Sequence, residues 1–325
     1  MVHLRIVAPP AEAKKVLALF METPSVFNVI VLGAAAQKPA GDVILCDVAR
    51  EDASVVISDL RELGIPECGS IAIEDIDSEI SDVAIAAEKA AAGMPSDAVV
   101  WEEVESRTSE NVELSGSFLA FMVVATLIAA VGILTDQLIL IIGAMVVGPE
   151  FGPLAGLCVA LVHIRGDLAR RSLLALAIGF PLAILASLAL TLAIDAASLV
   201  PGDFSQSEHP FTDFISSPDE FTVIVAILAG IAGVLSLTSA KSGALVGVLI
   251  SVTTIPAAAN IGVAVALGDG SDGLGAALQL GLNLVAIVLA GVAVLFFQRR
   301  LYLRRKAKHS GMKGRKAAGL SADKG

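Results

Sequence analysis

Charged residues are scarce in this chain of 325 residues, and they are unevenly placed. Asp, Glu, Lys and Arg form 17% of the sequence and apolar residues 55%, a balance too apolar for an ordinary soluble domain. Of the 33 acidic residues, 21 fall within residues 1–116, whereas residues 117–298 hold the long apolar runs. We therefore expect a soluble amino-terminal part followed by a membrane-spanning part.

Residues that usually carry catalysis or bind metals are few and scattered. The three cysteines, Cys46, Cys68 and Cys158, form no CxxC pair, which argues against a disulfide framework and a thiolate metal site. The four histidines are far apart in sequence, and the HExxH, GxSxG and GxxxxGKS motifs are missing. The sequence thus predicts no enzyme activity, no metal and no cofactor, although a membrane enzyme acting on a lipid stays as a weaker alternative.

Residues 1–75 alternate between strand and helix patterns in the order βαββαβ. Pro9 and Pro10 precede the first helix, where a missing N–H costs little, and Asp52 is a plausible cap for the second. The predicted strands are His3–Val7, Asn28–Leu32, Asp42–Asp47 and Gly69–Glu74, and the predicted helices are Ala11–Glu22 and Asp52–Leu63. This order is that of a ferredoxin-like α+β sandwich, with two helices on one face of a four-stranded antiparallel sheet.

Residues 76–116 form an acidic connector with helical propensity. Its two predicted helices cover residues 78–93 and 95–108. Ser96 or Asp97 is expected to cap the second of them. Trp101, the single tryptophan, fits equally well at the membrane surface or packed against the soluble domain.

Six apolar segments follow, and each is long enough to cross a bilayer core, which needs about 20 residues in a helix. They lie near residues 117–134, 138–162, 172–195, 221–239, 243–267 and 274–297. Pro181 falls inside the third segment and is interpreted as a kink within one span. The sequence predicts an α-helical polytopic membrane domain of six transmembrane helices over residues 117–298.

The distribution of Lys and Arg predicts the orientation, because positively charged loops stay in the cytoplasm. With the amino terminus inside, the outer connections are residues 135–137, 196–220 and 268–273, and none contains Lys or Arg. The start of the chain also lacks the basic segment, apolar core and cleavage site of a secretory signal peptide. We expect a multi-pass protein of the cytoplasmic (plasma) membrane with both termini in the cytoplasm.

Residues 299–325 form a basic tail that directly follows the last predicted span. A basic run in this position most often anchors to anionic lipids, and nucleic-acid binding is not favoured. The residues expected to contact lipid headgroups are Arg299, Arg300, Arg304 and Arg305. The part of the tail from Ala307 onward is predicted to be disordered.

The two halves of the membrane region resemble each other. The aligned pairs are Ala125–Gln137 with Ala226–Ser239, and Gly143–Leu161 with Val246–Leu267. Pro153 then matches Pro256, and three spans per half predict a 3+3 inverted repeat, whose transport sites lie on interrupted helices at the midplane. Helices rich in Ala, Gly and Val also resemble one another through composition alone, so both interpretations stay open.

The second span contains the sequence GPEFGP in the middle of an apolar segment. Glu150 is the only acidic residue well inside a predicted span, and a charge at that depth usually faces protein or water. The prolines are expected to free the carbonyls of Met145 and Pro149, so the site would suit a cation, a proton or an amine. The alternative is a structural kink in which Glu150 bonds to a neighbouring span. The pathway residues predicted here are Gly148, Pro149, Glu150, Gly152 and Pro153.

Spans 5 and 6 contribute further polar residues at membrane depth. Hydroxyls before a membrane proline either satisfy loosened carbonyls or line a pathway. Asn260 is interpreted as a neutral partner that faces Glu150, and Gln279 and Asn283, four residues apart, share one helix face. The pathway residues predicted in these spans are Thr253, Thr254, Pro256, Asn260 and Asn283.

The stretch Trp101–Leu157, which contains GAMVVGPEFGP, and the Gly166-Asp167 step after it resemble the domain of unknown function 389 family of bacterial and archaeal membrane proteins. The resemblance covers about residues 100–298, and it implies a membrane region preceded, in many members, by a ferredoxin-like part. Many members have apolar residues between the two prolines, where this chain has Glu150 and Phe151. The family name records no activity.

The sequence favours a membrane transporter or channel for a small solute or ion, with its pathway between spans 2 and 5 and a cytoplasmic regulatory or assembly domain. The alternative is a non-transporting sensor or scaffold, anchored by its membrane part, whose ferredoxin-like domain binds a small metabolite or nucleotide. The partners expected are membrane lipids and further copies of the chain, as a homo-oligomeric trimer or dimer.

Overall fold

The structure is a computed structural model that describes residues 1–76, 80–91, 98–200, 220–239, 246–309 and 313–320, with the backbone alone for 246–253. The chain divides into two compact units. The amino-terminal unit comprises Met1–Val104, Thr238–Lys241 and Phe297–Gly325, and the apolar unit comprises Glu105–Leu237 and Ser242–Phe296. The division separates the acidic, soluble-looking sequence from most of the apolar segments.

The amino-terminal unit is built on a four-stranded antiparallel sheet with the strand order β2-β3-β1-β4. Its strands are β1 Val2–Ala8, β2 Val26–Gln37, β3 Ala40–Val48 and β4 Ser70–Asp75, and its first helices are α1 Pro10–Met21, α2 Arg50–Glu62 and α3 Ile65–Cys68. The elements follow one another in the predicted order βαββαβ, with the short α3 as an addition. Alternate residues of β1 are fully buried, as period-two patterning requires of a strand with one face on a core.

The start of α2 differs from its prediction. The helix begins at Arg50, so Asp52 lies in the first turn instead of at the cap, and Ala49 occupies the cap position. Carboxylates in the first turn still stabilise a helix through its macrodipole, which explains the acidic start of this segment.

The acidic connector forms α4, Asp82–Ala90, and α5, Trp101–Asn111. Ser81 caps α4 by accepting a hydrogen bond from the Ala84 amide, whereas the predicted caps Ser96 and Asp97 lie outside the described residues. Trp101 is buried, and its ring packs edge to face on Tyr302 with 6.3 Å between the ring centroids. Of its two predicted positions, packing within the soluble part is therefore the one observed.

The apolar unit consists of long helices. They are α6 Gly116–Leu134, α7 Leu138–Val147, α8 Phe151–His163, α9 Gly166–Ala196, α10 Glu220–Thr238, α11 Val246–Leu267 and α12 Gly270–His309. Among the described residues, four helices are long and apolar enough to span a membrane, and the bent pair α7–α8 makes a fifth. The described apolar part of α11, Thr254–Leu267, is shorter than a span, so the prediction of six spans stays a prediction. Helix α9 runs through Pro181 as one helix.

The core of the apolar unit is formed where α11 packs against α6, α7 and α9, and α8 packs against α9. Met122, Ile141, Ala175 and Ile255 are fully buried in it. This packing brings the GPEFGP segment and the residues before Pro256 into one neighbourhood.

The tail is more ordered than predicted. Helix α12 continues to His309, and α13 follows at Lys313–Ala317. The prediction of disorder from Ala307 onward is wrong for these residues, because Arg315 is buried and pairs with Asp59 of α2. Residues 310–312 and 321–325 lie outside the described residues.

Candidate functional site: a helix break around Glu150

The GPEFGP segment breaks its span into two helices that meet at an angle of 52°. Helix α7 ends at Val147, and α8 begins at Phe151 with Glu150 in the cap position. Pro149 lies in the break, and Pro153 lies in the first turn of α8, where a helix has no use for the missing N–H. The two prolines therefore explain both the end of one helix and the start of the next.

One of the carbonyls predicted to be freed by the prolines is engaged. The carbonyl oxygen of Pro149 accepts a hydrogen bond of 3.3 Å from the Gly152 amide, and the Gly148 amide donates to the Ala144 carbonyl at 3.2 Å. The prediction that Pro149 offers a free carbonyl is wrong, because the chain closes into a tight turn there. The side chain of Glu150 is the charged group at the break.

Glu150 is fully buried, and its Oε1 accepts a hydrogen bond of 2.8 Å from the hydroxyl of Thr254. Thr254 is fully buried as well, and it lies two residues before Pro256 in α11. A buried carboxylate is expensive unless it is hydrogen-bonded, and the positive end of α8 lowers that cost further. Such a carboxylate can bind a proton or a cation with little rearrangement.

The other predicted pathway residues of α11 and α12 are Pro256, Asn260, Asn283 and Thr253. Asn260 and Asn283 are buried, but the observed partner of Glu150 is Thr254, and the predicted facing of Asn260 and Glu150 stays a prediction. Pro256 lies inside α11, which is not broken as α7–α8 is, and the Thr253 side chain is outside the described residues. Pro153 and Pro256 are therefore not equivalent in structure, because the helix is broken near Pro153 and continuous at Pro256.

Small residues allow the chain before α6 to approach the break closely. A Cβ atom on Gly152 would lie 2.6 Å from the carbonyl oxygen of Asn111. Gly156, one turn later in α8, faces Val112 and Ser172 in the same way. A glycine in an apolar helix is a signal of close backbone approach, but nothing local to Gly152 identifies its partner, since Asn111 lies in the connector.

A polar cavity of about 490 Å³ reaches the break from the side of the connector. It is lined by Glu110, Asn111, Glu113, Ser115, Phe118, Val146, Gly148, Pro149, Phe151 and Gly152. The side chains of Glu110 and Glu113 are exposed, so acidic groups flank the cavity. Sequence reasoning missed both glutamates, although they directly precede the first apolar segment. Within the described residues, no group of three His, Cys, Asp or Glu side chains is arranged to hold a metal ion.

The arginines predicted to contact lipid lie on α12. Arg305 donates a hydrogen bond of 2.6 Å to the carbonyl of Glu51, so this side chain contacts protein, whereas Arg300 and Arg304 are exposed. Arg299 is half-buried. Their contact with lipid stays a prediction.

Comparison with known proteins finds one matching family and one uncharacterized relative. Residues 145–289 match the family described as "Domain of unknown function (DUF389)", and this range contains the helix break, Thr254 and Asn283. An uncharacterized protein of Methanocaldococcus jannaschii is 26% identical over 198 residues, which are 60% of this chain and 58% of that relative's length. No solved structure matched the chain. The resemblance predicted from the sequence is confirmed over residues 145–289, which match the DUF389 family model.

Proposed function

We propose that this membrane protein is a transporter or channel that passes a small cation or a proton along the break between α7 and α8. The observation that carries the proposal is Glu150, a fully buried carboxylate at a helix break, bonded to Thr254 of another helix. Ionisable residues at membrane depth are costly to keep and usually mark a substrate or ion pathway.

Charge favours a cation over an anion. The cavity beside the break is flanked by Glu110 and Glu113, and the buried carboxylate of Glu150 lies at the break itself. Clefts lined by one sign of charge concentrate ions of the opposite sign. An anionic substrate would meet repulsion along this whole approach.

Thr254 supplies the adaptable partner that such a site needs. Its hydroxyl donates to Glu150, yet the same oxygen has lone pairs that can face a cation. When a proton or cation neutralises Glu150, the hydroxyl can rotate and contribute its oxygen as a ligand. Occupied and empty states then differ by one hydroxyl rotation, which limits the cost of passage.

The proposal also covers the membrane orientation, the internal repeat and the self-association of the chain. The absence of Lys and Arg from the outer connections supports a cytoplasmic location for both termini, in the cytoplasmic membrane. The similarity of the two halves in sequence supports an inverted repeat, with the unbroken α11 as a departure from it. Self-association as a dimer or trimer and contact with lipids complete the proposal.

The experiment is a flux measurement on the purified full chain in sealed vesicles. Gradients of protons, Na⁺ and K⁺ are imposed one at a time, and their decay is compared with that in protein-free vesicles. We expect at least one gradient to decay faster with protein, and Thr254→Val to slow that decay. If none of the three decays faster, the cation pathway is wrong.

A second candidate, the sensor or scaffold, is favoured by a different observation. The amino-terminal unit holds a cavity of about 350 Å³ lined by Ile57, Arg61, Pro66, Gly69, Ser70, Ile71 and Ile73. Arg61 and Ser70 would suit a small anionic metabolite. Calorimetric titration of the full chain with nucleotides, with Arg61→Gln as control, tests this candidate, and binding without any ion flux would favour it.

A further inference from the structure

The amino-terminal unit carries a groove that the tail of the same chain occupies. We define the tail groove by Leu19 of α1, Thr23 just after α1, and Asp59 and Glu62 of α2. Helix α13 packs against α1, and a Cβ on Gly314 would lie 2.8 Å from the Leu19 carbonyl oxygen. The close approach requires glycine at this position, which indicates a fitted contact.

Asp59 holds the tail through Arg315 and His309. It is fully buried in the last turn of α2, and its Oδ2 lies 2.9 Å from Nε2 of His309. Its Oδ1 pairs with the guanidinium of Arg315, which also donates to Glu62 at 2.8 Å. A buried carboxylate that loses its partners is left with a large desolvation cost, so Asp59 favours the docked tail strongly.

Apolar contacts complete the docked state. Ala318 is buried in the core that α1, α2 and the sheet share, and Leu320 packs against the same core. A helix of five residues does not persist alone in water, so α13 owes its structure to the groove. Release from the groove therefore also unfolds the segment.

The outer face of the docked tail is cationic. Lys308, Lys313 and Lys316 are exposed while Arg315 and His309 are buried. A basic segment is attracted to an anionic lipid surface without any need for helical structure, by about fivefold in affinity for each cation close to the surface. The same segment is therefore suited to two alternative acidic surfaces.

We propose that residues 313–320 are a docked segment for which the tail groove and anionic membrane lipids compete. On neutral lipid the segment stays in the groove. On anionic lipid its exposed lysines draw it to the membrane, and Asp59, Glu62 and the apolar floor of the groove become accessible. The proposal is independent of any transport by the apolar unit.

Thiol labelling of the full chain in nanodiscs tests this competition. Ala318→Cys reports on docking, and Ala317→Cys, exposed and adjacent, is the matched control, both in a Cys68→Ser background. Cys46 reacts little, because burial raises the pKa of its thiol to about 12. In phosphatidylcholine discs we expect Ala318→Cys to label at about one tenth of the control rate or less.

Added phosphatidylglycerol should raise the labelling rate of Ala318→Cys about tenfold or more and leave Ala317→Cys unchanged. Replacing Lys308, Lys313 and Lys316 with Gln should abolish this response and preserve slow labelling. Equal rates for Ala318→Cys in both lipids would overturn the competition. Equal rates for Ala318→Cys and Ala317→Cys in neutral discs would overturn docking itself.

Arg315→Gln tests the ion pair from the side of the tail. It should raise labelling of Ala318→Cys in neutral discs to about the rate of Ala317→Cys, since the buried carboxylate loses its guanidinium partner. The Trp101 emission spectrum reports whether the amino-terminal unit remains folded. Slow labelling with an unchanged spectrum would show that Asp59 does not hold the tail.

Discussion

Thr254 Oγ1 and Glu150 Oε1 lie 2.8 Å apart, although the two residues are separated by 104 positions in the chain. The bond joins the break between α7 and α8 to the segment of α11 that precedes Pro256. Because both side chains are fully buried, the bond both stabilises the fold and fixes the orientation of the carboxylate.

The first prediction concerns the stability that this bond provides. Thr254→Val should lower the free energy of unfolding by about 1.5–3 kcal/mol, because a hydrogen bond to a charged group is lost. Thr126→Val is the matched control, since Thr126 is equally buried but donates to the Met122 carbonyl of its own helix. Thermal unfolding of the purified proteins in one detergent measures both. Equal shifts would show that Glu150 gains nothing from the Thr254 hydroxyl.

A second prediction concerns the approach of the connector to the break. Gly152→Ala should lower the free energy of unfolding by about 1–3 kcal/mol, because its methyl group would displace the backbone at Asn111. Gly143→Ala lies in the preceding helix with open space around its added methyl, and it should be neutral or stabilising by up to about 1 kcal/mol. The same unfolding assay compares the two. A harmless Gly152→Ala would contradict the close approach.

The amino-terminal unit should lose stability as pH rises. Burial raises the pKa of Glu102 above its ordinary value of 4.5, against a lowering by the hydrogen bond from Ser54, and burial also raises the pKa of Glu51. The folded unit thus holds these protons more tightly than the unfolded chain. The stability that these two protons contribute is greatest below pH 4.5 and is lost as pH rises through the raised pKa values.

Denaturant unfolding followed by Trp101 fluorescence, from about pH 4.5 to about pH 8, measures this dependence. Glu102→Gln should flatten the curve in part, since Glu51 still titrates. A free energy of unfolding that rises with pH across this range would contradict the predicted fall. A Glu102→Gln curve as steep as that of the wild type would show that Glu102 does not cause it.

The acidic rim of the cavity gives a prediction about rate. Replacing Glu110 and Glu113 together with Gln should reduce cation flux at low ionic strength, because both flank the polar cavity beside the break. The difference from wild type should shrink at high salt, where exposed charges are screened. A difference that is insensitive to salt would mean that the two glutamates act through structure and not through charge.

Much of the amino-terminal unit could be predicted from its sequence. The period-two pattern of β1 and the prolines before α1 are local signals, and local signals place elements well. The sequence does not decide between the two predicted positions of Trp101, because the side chain packs on Tyr302, which is about two hundred residues away in the chain. The partners Asp59 and Arg315 were missed for the same reason, and the basic composition of the tail favoured a disordered interpretation.

The site was predicted in position but not in detail. The prolines and glycines of GPEFGP are local signals of a helix break, and Glu150 is an acidic residue within an apolar segment. Glu150 and Thr254 are both predicted as pathway residues, but their hydrogen bond is not predicted from the sequence, and the packing of α11 creates it. Which face of one helix meets another depends on the whole packed unit, and that information is not local to either segment.

The most direct test of the central claim is cation flux through Glu150→Gln in sealed vesicles. The substitution keeps the shape of the side chain and removes its charge, and Thr254→Ser, which keeps the hydroxyl, serves as control. The account predicts that Glu150→Gln falls to the level of protein-free vesicles while Thr254→Ser retains flux. Flux through Glu150→Gln at the wild-type rate would contradict it and leave the buried carboxylate with a purely structural role.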